Sequence, residues 1–146
     1  MKNCAALAVC LAINSGCSSQ SAPSEQPHLL TTPRSHANYV WMLAKTKGQL
    51  IVLNGCVALQ KANSNPSTLV FPPDYSIKLM DGKWLIRDSF GGSVGSIGHH
   101  LEIGGGETPT LNFDNSSGCQ APFWLVTPKD RREWVPPGVK APPVQE

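Results

Sequence analysis

The chain has 146 residues, room for one hydrophobic core with tails, because single cores are usually built from about 100–150 residues. Charged residues make up 15% and the formal net charge is +2, with Lys and Arg scattered along the chain. That balance excludes the basic footprint of a nucleic-acid binder or of a protein held by charge alone on an acidic membrane.

The chain opens with Lys2, an apolar run at residues 5–13 (AALAVCLAI) and the small residues Ser15-Gly16. This order of charge, apolar run and small residues is that of a secretory signal peptide. As a helix the run is about 14 Å long at roughly 1.5 Å per residue, too short for a hydrocarbon core of about 30 Å. The next residue, Cys17, is followed by a Ser/Gln/Pro-rich segment. Small residues ending in a cysteine resemble the lipobox of bacterial lipoproteins, with Asn14 standing where that pattern commonly has Leu. The resemblance implies a leader at 1–16, diacylation of the Cys17 sulfur and a mature chain beginning there. Ser18 resembles the outer-membrane sorting choice, which implies a periplasm-facing, lipid-anchored protein in a Gram-negative host and the outer face of the cell membrane otherwise. An ordinary cleaved signal peptide is the alternative.

Residues 18–36 (SSQSAPSEQPHLLTTPRSH) hold few apolar side chains and three prolines. Such a segment cannot offset the entropy of ordering by burial, so 17–37 is expected to be a lipidated, disordered tether. Of the five cysteines, Cys4 and Cys10 leave with the leader and Cys17 takes lipid, which leaves Cys56 and Cys119. An even remainder in an oxidising compartment suggests a disulfide, which for a loop of this length stabilises by about 4 kcal/mol in the chain-entropy model; two separate buried thiols are the alternative.

Thirteen Gly and thirteen Pro, most of them between short apolar runs, mark an all-β chain with many turns from residue 38 to 127. Residues 38–46 (NYVWMLAKT) fit a short helix or a strand. In GQLIVLNGCVALQ, Asn54-Gly55 suits a two-residue turn with positive φ at both positions, or else a bulge in one long strand. STLVF is stopped by Pro72-Pro73, and YSIKLMDGKWLIRD repeats the hairpin device at Asp81-Gly82, with Trp84 and Ile86 on one face. Short strands are expected around 94–97 and 100–103, and APFWLVT after Cys119 is the last. About seven strands at this spacing predict a small antiparallel barrel or sandwich, with the disulfide tying the second strand to the last.

Residues 54–126 resemble an uncharacterised bacterial family of exported domains with the spaced pattern nGC…vwPP…vG…GGGe…C…p-W-v. Here the pattern falls on Gly55-Cys56, Phe71-Pro72-Pro73, Gly98, Gly104-Gly105-Gly106-Glu107, Cys119, Pro122 and Trp124. The family carries no assigned activity, and His99 stands where its pattern commonly has an acid.

For chemistry, Gly104-Gly105-Gly106-Glu107-Thr108 lacks the lysine and following helix of a phosphate loop and reads as a turn of positive-φ glycines. His99 and His100 adjoin no constellation of carboxylate or serine, and with no C-x-x-C and two adjacent histidines no metal site is expected. No serine sits in a G-x-S-x-G elbow. Trp84 and Trp124 are expected in the core. Trp134, in the Pro-rich tail 128–146, either lies on the domain or docks a partner. The expectation is therefore a non-enzymatic envelope lipoprotein without cofactor, binding an envelope protein or glycan, with Gly104, Gly105, Gly106, Glu107 and Trp134 as possible contact residues. An inhibitor of lysozyme-type enzymes, or a component of a secretion or conjugation apparatus or an exclusion lipoprotein, are the alternatives.

Overall fold

A computed structural model describes residues 25–34, 43–115 and 117–128. Nine strands follow in chain order: β1 (Leu30–Thr31), β2 (Ala44–Leu53), β3 (Cys56–Gln60), β4 (Ser67–Phe71), β5 (Ser76–Met80), β6 (Lys83–Arg87), β7 (Ser93–Ser96), β8 (His100–Thr108) and β9 (Phe123–Val126). The all-β expectation holds. Both hairpins form where the dipeptides placed them, between β2 and β3 and between β5 and β6. Asn54, Gly55, Asp81 and Gly82 all have φ between 49° and 80°, the positive pair that matches strand twist. The described part of 38–46 is strand from Ala44 onward.

β2, β3, β4, β9 and β8 pair in that order and β8 returns to β2, which closes a five-stranded barrel. The seam is not antiparallel throughout, because β4 and β9 run parallel, with Leu69 opposite Trp124. The first barrel strand pairs with the second and fourth, and the third lies parallel to the fifth. This is the strand connectivity of the OB barrel, a closed Greek key without free edges. In the connection between third and fourth barrel strands stands a separate sheet, β5-β6-β7. It is docked by Gly98 N–H on the Leu50 carbonyl and Leu50 N–H on the His99 carbonyl.

Two apolar clusters follow from strand alternation. The larger holds Leu50, Val57, Leu59, Leu69, Phe71, Ile103, Trp124 and Val126 from the barrel with Ile77 and Ile86 from the second sheet. Trp84 packs against it beside Ile86, as the shared strand face requires. The alternate residues Cys56, Val70 and Phe123 point the other way and form a second cluster with Leu30 and Cys119, flanked by Leu111, Phe113 and Leu125. β4 is buried on both faces for this reason, with the apolar run Leu69-Val70-Phe71 preceded by the buried polar Ser67 and Thr68. Each fully buried Leu, Ile or Phe contributes about 1.5–3 kcal/mol of transfer free energy.

Two expectations need correction. The tether at 17–37 does not run unstructured to the barrel. His28 N–H bonds the Gly55 carbonyl, Val57 N–H bonds the His28 carbonyl, and β1 pairs in parallel with Val70 and Phe71. Leu30 is buried in the second cluster. The segment fills the place where β3 and β4 diverge, since β3 pairs β4 only at Ser67 and Thr68. The folded unit thus begins ahead of residue 38. The second correction concerns Gly104, Gly105 and Gly106, which form no turn. They lie inside β8, pairing β2 on one side and β9 on the other.

Candidate functional site

Glycine at 105 is required by what lies across the sheet. A Cβ on Gly105 would stand 2.0 Å from the Leu125 carbonyl oxygen and 2.5 Å from Trp124 Nε1, and its φ of 151° also disfavours a side chain. Gly105 and Gly106 are buried, so they offer a partner no surface loop, contrary to their place among the possible contact residues. Gly104 is half-buried; its carbonyl accepts from Thr127 N–H and, at 3.4 Å, from Trp124 Nε1.

Glu107 is where the site emerges from the barrel wall. Strand register sets it opposite Trp124. Lys61, just after β3, donates to the Glu107 carboxylate at 2.7 Å and lies 5.6 Å from the Trp124 ring centroid, within reach of a cation–π contact. Ser67 Oγ, on β4, donates to the same oxygen at 3.2 Å. Four barrel strands or their ends thus meet at one polar knot: β3, β4, β8 and β9. The hydrogen bond from Lys61, then its charge, holds the Glu107 carboxyl below the ordinary carboxylate range; desolvation opposes them, and the Ser67 hydrogen bond adds the least. With Lys61 largely covered and Glu107 about half exposed, the knot acts as a latch at the barrel end.

The remaining sequence-marked residues fall as follows. Cys56 and Cys119 are joined, with Cα atoms 5.9 Å apart, so the disulfide forms between β3 and the segment leading into β9. It holds the 109–119 loop over the outer face of the barrel, assisted by the Asn115 side-chain amide donating to the Cys119 carbonyl. Trp124 is 7% exposed and belongs to the core. His99 and His100 are both exposed, and among the described residues no group of three or more His, Cys, Asp or Glu is gathered as metal ligands. On the outer wall, Glu102 receives Lys45 and Lys47 across the β2–β8 pair, and the Lys47 hydrogen bond leads in lowering its pKa. Cys17 and Trp134 lie outside the described residues.

Sequence reasoning missed the pairing of Glu107 with Lys61 and Ser67. The only local signal was the string of glycines ending in an acid; the partners are 46 and 40 residues away. It also missed an open groove of about 330 Å³ between residues 26–29 and 75–77, which exists only because the N-terminal segment docks.

The architecture defines a class: a closed five-stranded barrel of OB connectivity with an inserted three-stranded sheet and a covered outer face. Comparison with known proteins finds no matching family model, no matching curated sequence and no matching solved structure.

Proposed function

We propose that the chain is an exported, lipid-anchored envelope lipoprotein whose barrel works by binding a partner and not by catalysis. The observation that carries the reading is the Cys56–Cys119 disulfide. It joins the two cysteines that remain once Cys4 and Cys10 leave with a leader and Cys17 takes lipid. A buried disulfide of this kind persists in an oxidising compartment and is rare in a reducing one. Two acyl chains on Cys17 make a stable anchor where a single chain is marginal.

The kind of partner follows from which surface is open. OB barrels commonly take oligonucleotides or oligosaccharides on the outer face of their second and third strands. In this chain those strands are β3 and β4, and the outer face is occupied by Leu30 and by the 109–119 loop pinned through Cys119. Self-coverage there favours an envelope protein over a glycan as partner, docked elsewhere on the molecule.

The reading is tested in cells. Expression of the full chain is expected to place it in the membrane fraction, and Cys17→Ser is expected to release it as a soluble exported protein. In-cell crosslinking from the second sheet and from the 128–146 tail is expected to capture an envelope protein. A Cys17→Ser chain that stays with the membrane defeats the anchor, and a wild-type chain that captures nothing from either region defeats the binding role. Protection of cells from added lysozyme by the released chain would instead favour the inhibitor reading.

A further inference from the structure

The second sheet has a free side. β5 pairs only with β6, and β6 in turn with β7, so one edge of β5 carries no strand among the described residues. The two-residue turn fixes which backbone groups lie there. Met80 and Lys83 close the hairpin as a hydrogen-bonded pair, so Lys78 and Ser76 bond β6 as well, and the N–H and C=O groups of Ile77 and Leu79 point to the open edge. No other backbone partner occurs for these two residues among those described.

The surroundings are suited to a guest strand. The open groove between residues 26–29 and 75–77 is lined by Ser76, from one face of β5, and by Ile77, from the other, and by no residue of β6. It therefore lies against the edge itself. On the core side of the hairpin, Leu79 continues the row of Ile77 beyond the barrel and is 50% exposed. On the outer side, Lys78 and Lys83 are exposed, and no ion pair among the described residues reaches either. β5, β6 and β7 contain no Asp or Glu; of the neighbouring acids Asp74 is held by Arg34, Asp88 accepts from Phe90 and Gly92 N–H, and Asp81 in the hairpin turn leaves Lys78, Lys83 and Arg87 in excess.

We infer that the free edge of β5 is the docking site for an extended segment of a partner protein, added as a fourth strand to the β5-β6-β7 sheet. Main-chain bonds to Ile77 and Leu79 supply the pairing. Alternation supplies the specificity: the guest sets an apolar side chain beside Leu79 on one face and an acidic one beside Lys78 and Lys83 on the other. A second copy of this chain fits less well, because antiparallel pairing that uses both Ile77 and Leu79 sets Lys78 against its own equivalent. The inference deepens the binding reading and is independent of the lipid anchor: loss of the anchor in the Cys17→Ser test leaves the edge standing, and a failed edge leaves the anchor standing.

The test uses the full Cys17→Ser chain and an eight-residue labelled peptide of alternating Val and Glu, with alternating Val and Lys as the control. The free chain is expected to exchange the Ile77 and Leu79 amides faster than those of Lys78 and Met80, and the Val/Glu peptide is expected to slow both. Leu79→Pro removes an edge donor without touching a β5–β6 bond, and Lys78→Glu with Lys83→Glu reverses the charge. Each is expected to weaken the Val/Glu peptide at least tenfold, and the charge variant to gain the Val/Lys peptide. Slow exchange at Ile77 and Leu79 in the free monomer overturns the inference, as does equal affinity for both peptides or unchanged binding in the charge variant. Protection of these amides that appears only with dimerisation overturns it in favour of a second copy.

Discussion

Glycine at 105 is dictated by a tryptophan and a carbonyl on the strand across from it. Gly105→Ala forces its Cβ into the Leu125 backbone and is expected to destabilise by about 3 kcal/mol or more, at the upper end of overpacking effects. Gly104→Ala meets nothing nearer than 3.7 Å and is expected to cost under about 1 kcal/mol, so urea unfolding of the pair separates a sterically required strand glycine from a tolerant one. Two residues on, Glu107 has a depressed pKa in the folded chain. Its stabilisation is therefore present above the unfolded carboxylate value of about 4.3 and is lost as pH falls through the folded one. Because the carboxylate is half exposed, the contribution is under about 1 kcal/mol after solvent screening. Thermal melts from pH 7 to pH 3 are expected to show Glu107→Gln with a flatter acid limb than wild type, and a parallel limb would remove the latch.

Elements defined by local chemistry were readable from the chain, and elements defined by distant partners were not. Asn54-Gly55 and Asp81-Gly82 announce their turns because positive φ at two successive positions is a local demand. Phe71 ends β4 because Pro72 and Pro73 have no N–H to extend a ladder. β1 gave no such sign: two residues in a Pro/Ser-rich segment become a strand only because β3 and β4 diverge and leave an edge and an apolar hollow for Leu30. Gly105, expected in a turn, is the same case, since the reason for it sits on β9. For the loop at 109–119, the disulfide replaces secondary structure as the fastening. Cys56→Ser with Cys119→Ser, which opens a closure spanning 63 residues, is expected to lower stability by about 4 kcal/mol in the chain-entropy model. Amide exchange is expected to rise first in that loop and in β1, which share the second cluster. A loss confined to β5-β6-β7 would contradict this assignment.

At the scale of the whole molecule, the barrel keeps few surfaces for a partner. Its strands close on each other, its outer β3–β4 face is covered by its own loop, and one end is packed against the second sheet through Ile77 and Ile86. Among the described residues, the free edge of β5 stays open beside its groove. On the proposed function the molecule works outside the cytoplasm, with Cys56 and Cys119 oxidised and Cys17 carrying lipid. The intact mass of the chain extracted from its own membranes, alkylated without reductant, reads both at once. The account predicts loss of residues 1–16, added acyl mass on Cys17 and no alkylation of Cys56 or Cys119. An unprocessed chain, or one alkylated at both barrel cysteines, would contradict it.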